Sequence, residues 1–97
     1  MKLEFKNIKT NATSAMRSVG YAFQRQEGEE MSFIRPFSSS GYPRFHAYVK
    51  MVGFDLILNI HFDAKKETYG QETRHHGEYE NEGMLKEEVE RLRRALG

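Results

Sequence analysis

Ninety-seven residues, 30% of them Asp, Glu, Lys or Arg and none of them Cys, set the first limits on this chain. The length suits one domain with one core, and a chain this size buries roughly 60–68% of the surface exposed when unfolded. Without cysteine there is no disulfide, thiolate metal site or thiol nucleophile, and a formal charge of +1 gives no strong pull toward nucleic acid or anionic membranes.

The opening run Met1-Lys2-Leu3-Glu4-Phe5-Lys6 alternates charged and apolar residues, which reads as a short half-buried strand and not as a signal peptide. No apolar run approaches the ~20 residues of a membrane span, so the expectation is a soluble, cytoplasmic protein without a membrane partner. Ala12, Ala15, Met16 and Val19 then recur at helical spacing, with Asn11 or Thr13 as cap and Gly20 as the left-handed stop.

Tyr21 and Phe23 begin a strand that turns at Glu27-Gly28-Glu29. A three-residue loop there sets Phe23 opposite Phe33 as an aromatic cross-strand pair. Pro36 and the serine-rich stretch after it break regular structure, giving a surface loop from Phe37 to Pro43.

A second hairpin follows. Phe45, Ala47, Val49 and Met51 alternate with Arg44, His46, Tyr48 and Lys50, and a matching alternation runs from Phe54 to Phe62. A two-residue Val52-Gly53 turn pairs Lys50 with Asp55, Val49 with Leu56, His46 with Asn59 and Arg44 with His61. A one-residue slip would expose every apolar side chain, so the side each residue faces is well specified.

Residues 65–83 contain no aliphatic side chain, which predicts a long polar loop. Met84 to Leu96 closes the chain as a helix with a Leu85, Val89, Leu92 and Leu96 stripe. Its acids precede its bases, which suits the helix dipole and allows Glu87–Arg91 and Glu90–Arg94 pairs. The fold class is therefore α+β. An antiparallel sheet of four to five strands, in the order β-α-β-β-β-β-α, carries both helices on one face of a single domain over residues 1–97.

The chemistry collects on the other sheet face. His61 and Asp63 share that face, and His46 lies about 7–8 Å away on a diagonal. With Arg44 beside them, these side chains suit a small anion or a divalent metal (Zn, Mn, Fe or Ni). Asp63 orienting His61 would also make an acid–base pair. Against this, histidine is ordinary on a solvated sheet face.

His75-His76-Gly77-Glu78 lies in the predicted loop. His76, with His75 and Glu78 in support, would complete the set if that loop folded over the sheet. Adjacent loop histidines are more often merely exposed.

Tyr48 among Arg44, His46 and Lys50 has the form of an RNA-binding sheet, but the acids around it cancel much of the field and no RNP-type motif is present. Gly-rich phosphate loops, serine nucleophile elbows and H-E-x-x-H are absent.

The string Tyr42-Pro43-Arg44-Phe45-His46, followed by His61-x-Asp63-x-Lys65-Lys66-x-x-Tyr69 and His76-x-Glu78-Tyr79, resembles a group of short uncharacterised prokaryotic proteins. That resemblance implies no activity, cofactor or site. The expected function is a small binding domain using His46, His61, Asp63 and His76. A homo-oligomeric or adaptor domain, a metal-dependent hydrolase and an RNA-binding sheet are the alternatives, and no residue marks a nucleophile.

Overall fold

The computed structural model describes the backbone of residues 1–64 and 74–97, and the side chains of residues 1–64 and 83–97. The elements run β1 (Lys2–Phe5), α1 (Ala12–Ser18), β2 (Ala22–Glu27), β3 (Glu30–Pro36), β4 (Arg44–Val52), β5 (Asp55–Asp63) and α2 (Arg74–Leu96). One antiparallel sheet has the order β1-β5-β4-β3-β2, so β2 to β5 form a meander and β1 closes on β5. This is the expected α+β arrangement.

Alternation makes the sheet two-faced. Leu3, Phe5, Phe33, Phe45, Ala47, Val49, Leu56, Leu58 and Ile60 are buried with Ala12, Ala15 and Met16 of α1 and Val89 and Leu92 of α2. Leu85 and Leu96 are partly buried against the same core. Both helical stripes therefore dock on one sheet face, which a helix as short as α1 needs in order to persist.

Local signals set the ends of α1. Asn11 accepts a hydrogen bond from the Ser14 amide at 2.7 Å. Gly20, at φ +97°, lets its own amide reach Arg17 O at 3.1 Å and the Tyr21 amide reach Met16 O at 3.0 Å. That double bond pattern is a Schellman stop, and it turns the chain so that Tyr21 enters the core.

Both hairpin turns differ from expectation. Val52 pairs with Asp55 and Val49 with Leu58, so the β4–β5 turn is Gly53-Phe54, and not Val52-Gly53 with Val49 beside Leu56. Gly53 has φ +65° and no positive φ occurs at Phe54. Glycine at the first central position is the type II′ pattern, which fixes the turn one residue later. The register moves by two residues and every side chain keeps its face.

Phe23 does pair with Phe33, edge to face at 5.7 Å between centroids. The route is a two-residue Gly28-Glu29 turn plus a bulge between Phe23 and Arg25, and not a three-residue loop. Tyr21 is buried just ahead of β2, whereas Phe23 on this edge strand is 48% exposed.

The last helix also starts earlier than its apolar stripe shows. Of the predicted 65–83 loop, residues 65–73 lie outside the described residues, and from Arg74 the backbone is helical. Apolar periodicity reports a buried face only. A polar stretch, here with Glu78, Glu80 and Glu82, extends a helix without that signal.

Candidate functional site

The two-residue register shift brings the expected polar cluster closer together. Arg44 lies directly opposite Asp63 and His46 directly opposite His61, in place of Arg44 facing His61 and His46 facing Asn59. Arg44 Nε donates to Asp63 Oδ2 at 3.3 Å, and the same oxygen lies 3.5 Å from His46 Nδ1. The Arg44 guanidinium also sits 4.4 Å from the centre of the Tyr42 ring.

The cluster continues across the sheet to residues that pattern reading passed over. Ser32 on β3 pairs with Tyr48 on β4, and its Oγ lies 2.7 Å from His46 Nε2. Ser32 Oγ in turn donates to Gln24 Oε1 at 2.7 Å, from within the β2 bulge. One chain of polar groups thus runs from Arg44 through Asp63, His46 and Ser32 to Gln24, spanning four strands. The available signal was register, since Ser32 falls on the face opposite Phe33 and across from Tyr48.

Burial distinguishes the members. Ser32 is 1% exposed, the His46 side chain 12%, and His61 is open to solvent. Burial is the main influence that lowers the His46 pKa below its usual 6.5. Asp63 opposes that shift, while the Arg44, His61 and Arg25 charges add to it. Near neutral pH the imidazole is therefore uncharged.

A row of rings crosses the same face. His46 and Tyr48 lie 4.6 Å apart between centroids at 37°, and Tyr48 meets His61 at 6.0 Å with its plane turned by 73°. Next to Tyr48 is a shallow depression of about 260 Å³, lined by Lys2, Glu30, Tyr48, Lys50, Val52, Ile57, Leu58 and Asn59.

Ser32, His46 and Asp63 in a row resemble a nucleophilic triad, but the Ser32 hydroxyl donates to Gln24, His46 approaches Asp63 only to 3.5 Å, and the surroundings do not suit one. Ser32 is covered, and it lies mid-strand with β2 on one side and β4 on the other. The amides of β3 beside it are thereby committed to the sheet and not to an oxyanion.

Metal ligation meets a similar obstacle. His46 Nε2 is engaged by Ser32, which leaves Nδ1, 3.5 Å from Asp63 Oδ2, as the ring's one nitrogen for a metal. Among the described residues no three His, Asp or Glu side chains are grouped so as to hold a metal ion. The side chains of His75, His76 and Glu78 lie outside the described residues, and the backbone that carries them is helix and not the expected loop.

A second polar network, unforeseen from sequence, lies on the helical side. Glu88 of α2 is 3% exposed and accepts from the Tyr21 hydroxyl at 2.6 Å. Arg91 clasps both its carboxylate oxygens at 2.8 and 2.9 Å and also donates to Val19 O at 2.7 Å. Arg35 approaches at 3.4 Å. Among the described residues this i,i+3 pair forms in place of the expected Glu87–Arg91 and Glu90–Arg94 pairs.

Burial pushes the Glu88 carboxyl up, but hydrogen bonds from Arg91 and Tyr21 and the nearby arginine charges outweigh it, leaving the pKa below its ordinary value. The Tyr21 hydroxyl is raised, first by burial and then by Glu88. The network ties the end of α1 and the start of β2 to α2.

No protein-family model, curated protein or solved structure matches the chain. Among the described residues no helix is long and apolar enough to cross a membrane.

Proposed function

We propose that this chain is a small binding domain whose polar sheet face recognises a small anionic ligand. The observation that carries the reading is the ordered row on that face. Arg44, Asp63, His46, Ser32 and Gln24 hold one another in place, and the His46, Tyr48 and His61 rings lie beside them. Binding is favoured over catalysis because the Ser32 hydroxyl that His46 touches is buried, and Asp63 already serves Arg44.

An anion is favoured over a metal because no three metal ligands are grouped among the described residues, while Lys2 and Lys50 stand on the same face. A nucleic-acid strand is a poorer fit. Lys6 is paired with Glu4 and Asp55, Arg25 with Glu27 and Arg44 with Asp63, so little net charge remains to displace counterions.

Histidine and arginine NMR signals test this directly. Inorganic phosphate is expected to move His61 and the Arg44 Nε–H at millimolar concentration, while Zn²⁺ leaves His46 unmoved. Joint displacement of His46 and His61 by Zn²⁺, with phosphate silent, would replace the anion reading by a metal one.

A further inference from the structure

We infer that the depression beside Tyr48 is the ligand subsite of this face, and that it takes an oxyanion, carboxylate or phosphate, carried on a small planar apolar body. The inference rests on the proposed role of the sheet face and adds the place and the ligand chemistry.

Two apolar side chains break the polarity of the face here, Ile57 on β5 and Val52 at the end of β4. Apolar groups on an otherwise polar sheet face gain nothing from water, and together with the Tyr48 ring they make a floor for a flat apolar group. Tyr48 is not free to swing away, because His46 packs on it at 4.6 Å and His61 meets it edge-on. A ring held in place loses little entropy when a second ring stacks on it.

Lys50 and Lys2 stand on the rim, and the strand register explains their convergence. Lys50 lies opposite Ile57, Tyr48 lies opposite Asn59, and Asn59 lies opposite Lys2 on its other side. Three adjacent strands thus put two ammonium groups and one amide around one apolar floor. Glu30 is the single acid among the lining residues. The two lysines therefore leave a net positive rim.

A volume of about 260 Å³ falls below the 300–1,000 Å³ of drug-sized pockets, which limits the occupant to about one ring and its charged group. At this subsite, charge on the rim and an apolar floor together favour a charged ring over a neutral ring or over inorganic phosphate, whose expected place is beside Arg44 and His61.

The test uses the full chain with benzoate, phenyl phosphate, inorganic phosphate and benzyl alcohol, followed through the Ile57 methyl and Tyr48 ring signals. Benzoate or phenyl phosphate, or both, are expected to shift Ile57 and Tyr48 at low millimolar concentration, and the stronger of the two identifies the oxyanion. Benzyl alcohol and inorganic phosphate are expected to leave both signals in place.

Lys2→Gln and Lys50→Gln should each weaken binding about two- to fivefold, as expected for loss of one exposed charge contact. Lys2 is exposed and Lys50 half-buried on the polar face, outside the core, so the variants fold and the comparison stays readable. Equal binding of the ring compounds to the double variant Lys2→Gln/Lys50→Gln would overturn the inference. Shifts confined to His61 and Arg44, with Ile57 still, would overturn the subsite while leaving the sheet-face reading intact. Silence at every one of these signals would remove both.

Discussion

Glu88→Gln perturbs the fold at its most charged buried point. Gln keeps the shape but removes the charge and turns an acceptor into a donor toward Arg91. The wild-type carboxylate receives a 2.6 Å bond from Tyr21 and two bonds from Arg91. Hydrogen bonds to a charged group contribute about 1.5–3 kcal/mol each when fully shielded. The Arg91 side chain is 34% exposed and keeps its bond to Val19 O, so water replaces part of its loss.

A net cost of about 2–3 kcal/mol follows, against a total of about 5–15 kcal/mol for a chain this long. The variant should stay folded at room temperature with its midpoint about 10–20 °C lower. Urea titrations by circular dichroism give the free energy, and Tyr21→Phe alone should cost about 1 kcal/mol. The double variant should lose less than the sum of the two singles, because both remove the same contact.

The pH dependence has a definite sign. A carboxyl whose folded pKa lies below its unfolded value of about 4.3 stabilises above that value and stops doing so as pH falls through the folded one. The gap between wild type and Glu88→Gln should therefore be full at neutral pH and close in acid. A loss under about 0.5 kcal/mol at neutral pH, or a gap that does not close, would refute the network's role.

Leu92→Ala, at a fully buried position of α2, should cost about 2–5 kcal/mol by urea titration, and a smaller loss would mean α2 is peripheral. Gly53→Val forces a branched side chain to φ +65° and should cost about 1–3 kcal/mol, unless the turn is not type II′. In a histidine NMR titration His46 should protonate below 6.5, with Asp63→Asn lowering that value further and Arg44→Gln raising it. The sign again follows from linkage: a neutral His46 in the fold costs stability as pH drops below the unfolded value of about 6.5.

What sequence makes legible here is whatever follows from alternation. Period-two patterns in Arg44–Val52 and Asp55–Asp63 assign every side chain to its face, because a one-residue slip would bury charge. They do not choose between registers two residues apart, since both bury the same set. Backbone φ at Gly53 makes that choice, and hydrophobicity does not encode it. The same limit hides the Gln24 bulge, which corrects the pairing of Phe23 with Phe33.

The candidate cluster was legible as a face and not as a network. His46, Asp63 and Arg44 follow from parity, whereas Ser32 joins them only once β3 is placed beside β4. Glu88 was harder still, because it sits among exposed acids on a helix and its burial depends on where Tyr21 points after the Gly20 stop.

The two polar networks differ in what they add to the fold, and this separates structure from function. The Glu88 network joins α2 to the end of α1 and to Tyr21, a link that no backbone bond supplies among the described residues, so its burial has a purpose in assembly. The chain from Asp63 through His46 and Ser32 to Gln24 joins strands the sheet already holds together. Burying an imidazole and a hydroxyl there costs desolvation that the ladder bonds do not require. An apolar pair at Ser32 and His46 would cover the sheet as well or better. What the polar chain supplies instead is a fixed surface: Tyr48 rests on a histidine that cannot turn, and Arg44 is aimed by a carboxylate held in place. Replacing Ser32 by Ala should therefore change ring order at His46 and Tyr48 more than it changes stability. Relaxation measurements on those rings, set beside a urea titration, read the two quantities separately. A large stability loss with unchanged ring order would mean that this network, too, serves only the fold.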